Sequence, residues 1–150
     1  MALMRRSSEP ARVRPASQVS ARYSALRREH TGPELALRRE LHRRGLRYRV
    51  QQRIEGLPRR KVDIVFSRAR LIVLVDGCFW HGCEQHGSTP RTNTDWWAWK
   101  IQRTQERDAD TNRRLAELGW SVLRVWEHEL PVGAADRVQE QLCALLGVRP

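Results

Sequence analysis

The sequence predicts a small α/β domain, and three features of the chain indicate it. Two short apolar runs, within residues 62–66 and 71–75, have the length and composition of β-strands. Longer amphipathic stretches at residues 95–118 and 134–146 are typical of helices that bury one face. A further apolar run, residues 120–126, separates these two helices. Strands and helices in this order pack in layers, and 150 residues suffice for one such domain.

The first predicted helix begins at Thr31. Thr31 is expected to be its N-cap, with Glu34 three residues later as the reciprocal partner in a capping box. Leu37 and Leu41 lie one turn apart and share the face that is expected to be buried. Alternating arginine and apolar residues then predict a short strand at residues 46–52.

The two central strands form a predicted hairpin that carries an aspartate on each strand. A turn at residues 56–58 precedes the first strand, which Asp63 opens, and Asp76 closes the second strand. The hairpin can therefore bring both carboxylates to one pocket. Carboxylate oxygens suit a hard cation such as magnesium, which phosphodiester hydrolysis uses to neutralise phosphoryl charge. The alternative is that each aspartate only ends a strand.

The loop at residues 77–93 is rich in cysteine and histidine. Cys78, Cys83 and His86 have spacings compatible with zinc, and a tetrahedral structural site needs a fourth ligand. His128 is a candidate, because it follows the last predicted strand and a strand end is a rigid place from which to reach the loop. The alternative is a pair of buried thiols beside surface histidines.

His81 lies between the two cysteines and close to Asp76. A neutral imidazole is a natural general base near pH 7, but the same ring could be a zinc ligand, and the spacing does not decide between these roles. Cys143 lies on the apolar side of the last helix and is expected in the core. With three cysteines, the chain is not a secreted disulfide framework.

The C-terminal half contains a predicted helix, strand and helix. Thr94 is the expected cap of a helix from Asp95 to Leu118, and Gly119 suits the end of that helix. Residues 120–126 form the last strand. The final helix is expected to direct four apolar side chains inward, Val138, Leu142, Leu145 and Leu146.

The charge of +11, from 28 basic and 17 acidic residues, favours a polyanion as partner. Only Lys61 and Lys100 are lysines, so genomic base composition can explain the choice of arginine but not the excess over acids. Among the six tryptophans, a helical run cannot bury every ring of Trp96, Trp97 and Trp99 on one face. Exposed rings beside basic groups can stack on bases or wedge between them, which indicates nucleic-acid binding.

Residues 1–18 are rich in Arg, Ser and Pro and are predicted to be a disordered basic tail, while residues 19–150 are predicted to be a single domain. The chain has no apolar run long enough to span a bilayer, and its N-terminus lacks the apolar core of a signal peptide. We therefore expect a cytoplasmic protein without membrane association.

Between Arg22 and Leu130 the chain closely resembles the very short patch repair (Vsr) DNA mismatch endonucleases. The matching segments are D-G-C-F-W-H-G-C at 76–83, Lys100 with Glu106-Arg107-Asp108, G-W-S-V-L-R-V-W-E-H-E-L at 119–130, P-E-L-A-L-R-R-E-L at 33–41 and G-L-R-Y-R-V at 45–50. The resemblance implies a restriction-endonuclease-like core, in which a mixed central sheet is flanked by helices and a structural zinc site is present.

The resemblance also implies an activity. Vsr-like enzymes make a magnesium-dependent nick on the 5′ side of the thymine in a T:G mismatch, which arises when 5-methylcytosine deaminates, and so begin very short patch repair. The implied partners are double-stranded DNA with a T:G mismatch and other mismatch-repair proteins. Since only one strand is nicked, a monomer is expected to suffice.

The resemblance further implies roles for individual residues. Asp63 and the backbone carbonyl of Val75 would bind magnesium, and His81 would be the catalytic base and not a zinc ligand. Asp108 matches an aspartate that supports this histidine, and Glu34 matches an active-site glutamate, a role compatible with the capping box. The implied DNA contacts are Phe79, Trp80 and Trp97, as a wedge beside the mismatch, with Lys100 and Arg22. The implied zinc ligands are Cys78, Cys83, His86 and His128.

The chain also departs from the family. Val62-Asp63 replaces the usual Pro-Asp before the hairpin. The position of Asp76 varies between Asp and His, so Asp76, counted here as catalytic, either binds the metal or supports His81. Zinc ligands swap between Cys and His among members, which bears mainly on His86. Two alternative functions stay open, a restriction-like or structure-specific nuclease and a zinc-dependent DNA-binding module without catalysis.

Overall fold

A computed structural model describes residues 8–14, 21–22, 25 and 29–148 and shows a mixed α/β fold. Its elements, in chain order, are α1 (Gly32–Arg43), β1 (Arg49–Ile54), β2 (Leu57–Phe66), β3 (Leu71–Asp76), α2 (Thr94–Glu117), β4 (Ser121–Trp126) and α3 (Pro131–Leu146). The predicted α/β class and the helix-flanked mixed sheet are confirmed. In these described ranges, every helix is either too short or too polar to cross a membrane.

The four strands form one sheet in the order β1-β2-β3-β4. The first two pairs are antiparallel, whereas β3 and β4 are parallel, in register from Leu71 opposite Ser121 to Asp76 opposite Trp126. A parallel pair needs a crossover connection, and the loop after β3 together with α2 supplies it. Because parallel strands end at the same edge, the Cys/His loop after Asp76 meets the segment that follows Trp126.

The core lies on both faces of the sheet, because successive side chains of a strand point to opposite faces. Leu71 and Val73 pack in one cluster, and Ile72 and Leu74 pack in another. The first cluster joins the sheet to α1 and α3 through Leu37, Leu41, Ala134, Ala135, Val138 and Leu142. The second joins the sheet to α2 through Leu115. The sheet edge that carries the polar loop is thus fixed by packing from both sides.

Two strand boundaries differ from those that the sequence predicts. The first strand covers Arg49–Ile54 and not residues 46–52, and β2 begins at Leu57, so Asp63 lies inside β2 and does not open it. Backbone pairing extends both strands beyond their apolar residues. Arg53 and Lys61 lie opposite each other in the ladder, although their basic side chains give no apolar pattern that would predict a strand.

The predicted capping box at α1 is wrong in its hydrogen bonds, although Thr31 is the N-cap. The side chain of Thr31 makes no capping hydrogen bond. Glu34 Oε2 instead accepts the backbone N–H of His30 at 2.9 Å. Its other oxygen accepts the side-chain amide of Gln51 at 3.1 Å, so the carboxylate is drawn toward the sheet.

The other two helices also begin at different residues. Asn93, in a left-handed conformation, is the N-cap of α2, and Thr94 is the first helical residue. The last helix begins at Pro131, whose fixed φ suits a first turn. Its final turn extends beyond Leu142, the last buried residue, and leaves Leu145 and Leu146 39% and 40% exposed, so their predicted inward orientation is wrong.

Part of the predicted tail contacts the beginning of α2. The backbone N–H and C=O of Val13 both hydrogen bond to the side chain of Asn93, at 2.8 and 2.9 Å. Trp96 donates from Nε1 to Glu9 at 2.8 Å, and the guanidinium of Arg12 lies 4.7 Å from the centre of a Trp96 ring. Residues 1–7 and 15–18 of that tail lie outside the described residues, so its disorder and the domain boundary stay predictions.

Candidate active site

Asp63 lies on β2 with its carboxylate turned to β3. Its Oδ2 accepts the backbone N–H of Val75 at 2.8 Å, and its Oδ1 lies 3.4 Å from the amide nitrogen of Gln51. Burial raises the pKa of Asp63 to about 6, and the charges of Glu34 and Asp76 add to the increase while the two hydrogen bonds oppose it. A desolvated carboxylate with acidic neighbours favours a cation, and a divalent ion would supply one.

Gln51 joins two carboxylates that the sequence suggested separately. Its amide nitrogen donates to Glu34 at 3.1 Å and, more weakly, to Asp63. Gln51 has a φ of 51°, which is uncommon for a residue other than glycine. Glu34 is 2% exposed, so α1 contributes a buried acid to this pocket. Sequence reasoning missed Gln51, because a polar residue in a strand predicts solvent exposure.

His81 and Asp108 form a close pair between the Cys/His loop and α2. The distance from His81 Nδ1 to Asp108 Oδ2 is 2.5 Å, and Asp76 Oδ1 lies 3.7 Å from the same nitrogen. Burial alone would raise the pKa of Asp108, but the hydrogen bond and charge of His81, with the charge of Arg124, hold that pKa below its ordinary value. A carboxylate only accepts, so Nδ1 carries a proton and Nε2 of a neutral ring can act as a base.

The position of His81 depends on tight turns in the loop. The backbone N–H of His81 donates to Gly77 O at 3.1 Å, and that of Cys83 donates to Cys78 O at 2.9 Å. Gly82 has a φ of 67°, and a Cβ on it would lie 2.7 Å from side-chain atoms of α2. A side chain at this position would therefore be strained by the positive φ and would displace the side chains of Ile101 and Gln105.

Asp76 binds Arg124, a residue that sequence reasoning missed. Arg124 Nη1 lies 2.7 and 2.8 Å from the two oxygens of Asp76. The guanidinium also donates to Asn112 Oδ1 at 3.1 Å, and its Nη2 lies 3.6 Å from Asp108 Oδ1. A signal existed, because a lone charge inside an apolar strand normally has a buried partner.

The four predicted zinc ligands lie together. The donor atoms of Cys78, Cys83, His86 and His128 are all within 4.8 Å of one another. Nδ1 of His128 lies 3.0 Å from Cys78 Sγ and 3.7 Å from Cys83 Sγ. A tetrahedral zinc ion with bonds of about 2.0–2.3 Å places its ligands roughly 3.5 Å apart, so this donor set fits zinc. His81 is not a member of this group.

The protein environment of this group does not favour the Cys78 thiolate. Burial, followed by the hydrogen bond and charge of Cys83, raises the pKa of Cys78 to about 11. The carboxylate of Glu127, which accepts the Cys78 backbone N–H at 2.7 Å, adds a further negative charge. A bound cation would reverse this balance, because metal binding deprotonates a thiol. Cys143 lies elsewhere on α3 and is only half-buried, so its predicted position in the core is wrong.

The predicted wedge aromatics also lie together. The Phe79 ring centre is 5.1 Å from that of Trp80 and 5.0 Å from that of Trp97, and all three side chains are half-buried. Trp97 comes from α2 and the other two rings from the loop, so one cluster joins both elements. The two predicted basic DNA contacts, Lys100 and Arg22, are both exposed. None of the described side-chain contacts links either residue to the four cysteine and histidine ligands or to the His81–Asp108 pair.

Comparison with known proteins identifies a family that this chain matches. The family model described as DNA mismatch endonuclease Vsr matches residues 13–86, which include both strands of the hairpin and the Cys/His loop as far as His86. The chain is 46% identical over 112 residues to "Type II nicking enzyme V.NaeI" of Lentzea aerocolonigenes, covering 73% of this chain and 68% of that protein. It is 35% identical over 127 residues to "DNA mismatch endonuclease Vsr" of Escherichia coli (strain K12), covering 79% and 80%.

These matches place the chain among DNA endonucleases, which are hydrolases of phosphodiester bonds. A second nicking enzyme, V.XorIIP of Xanthomonas oryzae pv. oryzae, is 41% identical over 108 residues, covering 70% of this chain and 76% of that protein. The chain belongs to the Vsr family, as the resemblance predicted.

Proposed function

We propose that this protein is a magnesium-dependent mismatch endonuclease that nicks one DNA strand 5′ of the thymine in a T:G mismatch and so begins very short patch repair. The observation that carries the proposal is the His81–Asp108 pair, in which His81 lies beside the carboxylate of Asp76 and on the same loop as Phe79 and Trp80. A base, acidic groups and aromatic rings thus occupy one edge of a restriction-endonuclease-like core.

The residues of the chain divide the hydrolysis between them. Asp63 and the carbonyl of Val75 would hold magnesium, which when bound neutralises charge on the phosphoryl oxygens. His81 Nε2 takes a proton from the water that attacks in line, and the products are a 5′-phosphate and a 3′-hydroxyl. Asp108 keeps the ring oriented and stabilises its protonated form. Glu34, through Gln51, holds the side of the pocket nearest α1.

Recognition of the mismatch is assigned to the aromatic cluster. Insertion of Phe79, Trp80 and Trp97 would open the base stack, which costs about a few kcal/mol, and a mispaired step opens at lower cost. The excess of basic residues would hold the DNA backbone, and exposed Lys100 and Arg22 are candidates for such contacts. One bound chain can complete this reaction, which agrees with nicking by a monomer.

Zinc would have a structural role at Cys78, Cys83, His86 and His128. Two of these ligands enclose the segment 79–82, so the ion would hold both the wedge and His81 at the sheet edge. The proposed single-strand cut is supported by the relatives, several of which are named as nicking enzymes.

Strand-resolved cleavage of a labelled duplex tests the proposal. One duplex contains a T:G mismatch at a cytosine-methylation site, its control contains T:A, and each is incubated with magnesium or with EDTA. We expect a magnesium-dependent nick only in the mismatched thymine strand. Equal cutting of both duplexes would contradict mismatch specificity and favour a general restriction-like or structure-specific nuclease. Binding without cutting by folded, zinc-loaded protein would favour a DNA-binding module.

A further inference from the structure

Arg124 has an unusual position for a charged residue, since it lies in the middle of β4 and is 22% exposed. The strand places its guanidinium between Asp76 at the end of β3 and the turn of α2 that contains Asp108 and Asn112. The guanidinium only donates hydrogen bonds. It donates to both oxygens of Asp76, to Asn112 and, weakly at 3.5 Å, to the backbone carbonyl of Asp108. This one side chain therefore joins β3, β4 and α2.

The partner of Arg124 belongs to a second group that could hold a metal ion. One oxygen of Asp76, one nitrogen of His81 and one oxygen of Asp108 all lie within 4.8 Å of one another. The Arg124 guanidinium, however, occupies both Asp76 oxygens and lies close to Asp108. A divalent ion in this group would displace those hydrogen bonds and face a fixed positive charge.

Asp63 differs from Asp76 in its partners. Among the described residues, its carboxylate accepts from the Val75 amide and the Gln51 side chain, both of which are neutral, and pairs with no arginine or lysine. A cation can therefore bind Asp63 without competing with a guanidinium. Arg124 therefore distinguishes Asp76, whose role the sequence left open, from Asp63.

We propose that Arg124 is a positioning residue that holds Asp76 in an ion pair and excludes a divalent ion from the Asp76–His81–Asp108 group. This exclusion leaves Asp63 as the metal-binding carboxylate and leaves His81 as a base. The inference rests on the proposed function, because it assigns roles within the same hydrolytic site, and it settles between the two roles that the sequence left open for Asp76.

Manganese binding to the full-length, zinc-loaded protein without DNA tests this inference separately from nicking. The number of Mn²⁺ ions per chain is measured by electron paramagnetic resonance and by calorimetry. We expect Arg124→Met to bind one more ion than the wild type, and the double variant Arg124→Met/Asp76→Asn to return to the wild-type number. Arg113→Met, which removes an exposed arginine of α2 that also pairs with carboxylates, is the matched control and should leave the number unchanged.

Two results would overturn the inference. One is a folded Arg124→Met protein that binds the same number of ions as the wild type. The other is a loss of Mn²⁺ affinity of tenfold or more in Asp76→Asn, which retains Arg124, because Asp76 would then already be a metal ligand. If Arg124→Met does not fold, Asp76→Asn still decides, and unchanged affinity supports the inference. Failure of wild-type protein to nick T:G DNA would contradict the proposed function and leave the ion counts interpretable.

Discussion

Two groups of side chains that could bind a metal ion lie near the end of β3, and they differ in how their charges are balanced. In the group of Asp76, His81 and Asp108, the guanidinium of Arg124 contacts the carboxylates and His81 donates to one of them. In the group of Cys78, Cys83, His86 and His128, the neighbouring carboxylate of Glu127 adds negative charge. The carboxylates of the first group are thus balanced by positive or donating partners, whereas a cation in the second group would favour the Cys78 thiolate.

The two groups alternate along the chain, since His81 lies between Cys78 and Cys83. An ion in the cysteine group would therefore fix the backbone on both sides of His81, the proposed base. The difference teaches that one loop can carry two kinds of group side by side, one whose sulfur and imidazole donors suit zinc and one whose carboxylates are already paired with His81 and Arg124. The cysteine group, Asp63 and the group of Asp76, His81 and Asp108 can each be changed separately.

Removing a thiol ligand is expected to have the largest effect. Cys83→Ala should lose bound zinc and several kcal/mol of stability, because metal binding contributes directly to folding, and Tm should fall by about 10 °C or more. Metal analysis and thermal unfolding measure both quantities. Cys143→Ala, at a half-buried cysteine outside the group, is the control and should keep its zinc. Normal zinc content in Cys83→Ala would show that Cys83 is not a ligand.

Asp63→Asn is expected to reduce nicking by roughly 10³-fold, because the charge that would hold magnesium is lost while the side-chain oxygen can still accept the Val75 N–H. Single-turnover nicking of the T:G duplex at increasing magnesium concentration measures this effect. The zinc content should be unchanged, because Asp63 is not a member of the cysteine group. Asp136→Asn, at an exposed aspartate on α3, is the control. An active Asp63→Asn enzyme would contradict the assignment of Asp63 to the metal.

The same substitution should stabilise the magnesium-free, zinc-loaded protein at neutral pH. The pKa of Asp63 is about 6 in the folded chain against an ordinary value of 3.8, so the unfolded chain ionises first as the pH rises. The wild type therefore loses stability between those values, by up to roughly 3 kcal/mol above pH 6. Urea unfolding should show Asp63→Asn to be more stable than the wild type at pH 8, with a smaller difference at pH 4.5. A pH-independent difference would contradict the buried-carboxylate account.

Asp108→Asn is expected to have a smaller effect on activity, a decrease in nicking of roughly 10- to 100-fold, because the base remains but its orientation and its protonated form lose support. Asp110→Asn, one half-turn away on α2 with only arginine partners, is the control. Equal rates for the two variants would indicate that the short His81–Asp108 contact has no role in catalysis.

The sequence predicted the order of the helices and strands, and with the family resemblance it named the residues of both groups. It predicted the hydrogen bonds and ion pairs of those residues less well. Cys78, Cys83, His86 and His128 converge as expected, because short loop spacing and a strand end restrict where they can lie. The interactions of Glu34 and Asp76 with Gln51 and Arg124 were missed. The charge of Arg124 inside an apolar strand indicated a buried partner, but only the three-dimensional register identifies that partner as Asp76. The predicted burial of Leu145 and Leu146 was wrong, because the helical periodicity of apolar residues continues past the end of the buried face.

The most direct test of the separation between the two groups is to measure zinc content and T:G nicking on the same samples of wild type and His81→Ala. We expect one zinc ion per chain and equal mismatch binding in both proteins, with nicking reduced by roughly 10²- to 10⁴-fold in the variant. Loss of zinc together with activity in His81→Ala would contradict the account, because His81 would then belong to the structural group and not to the catalytic one.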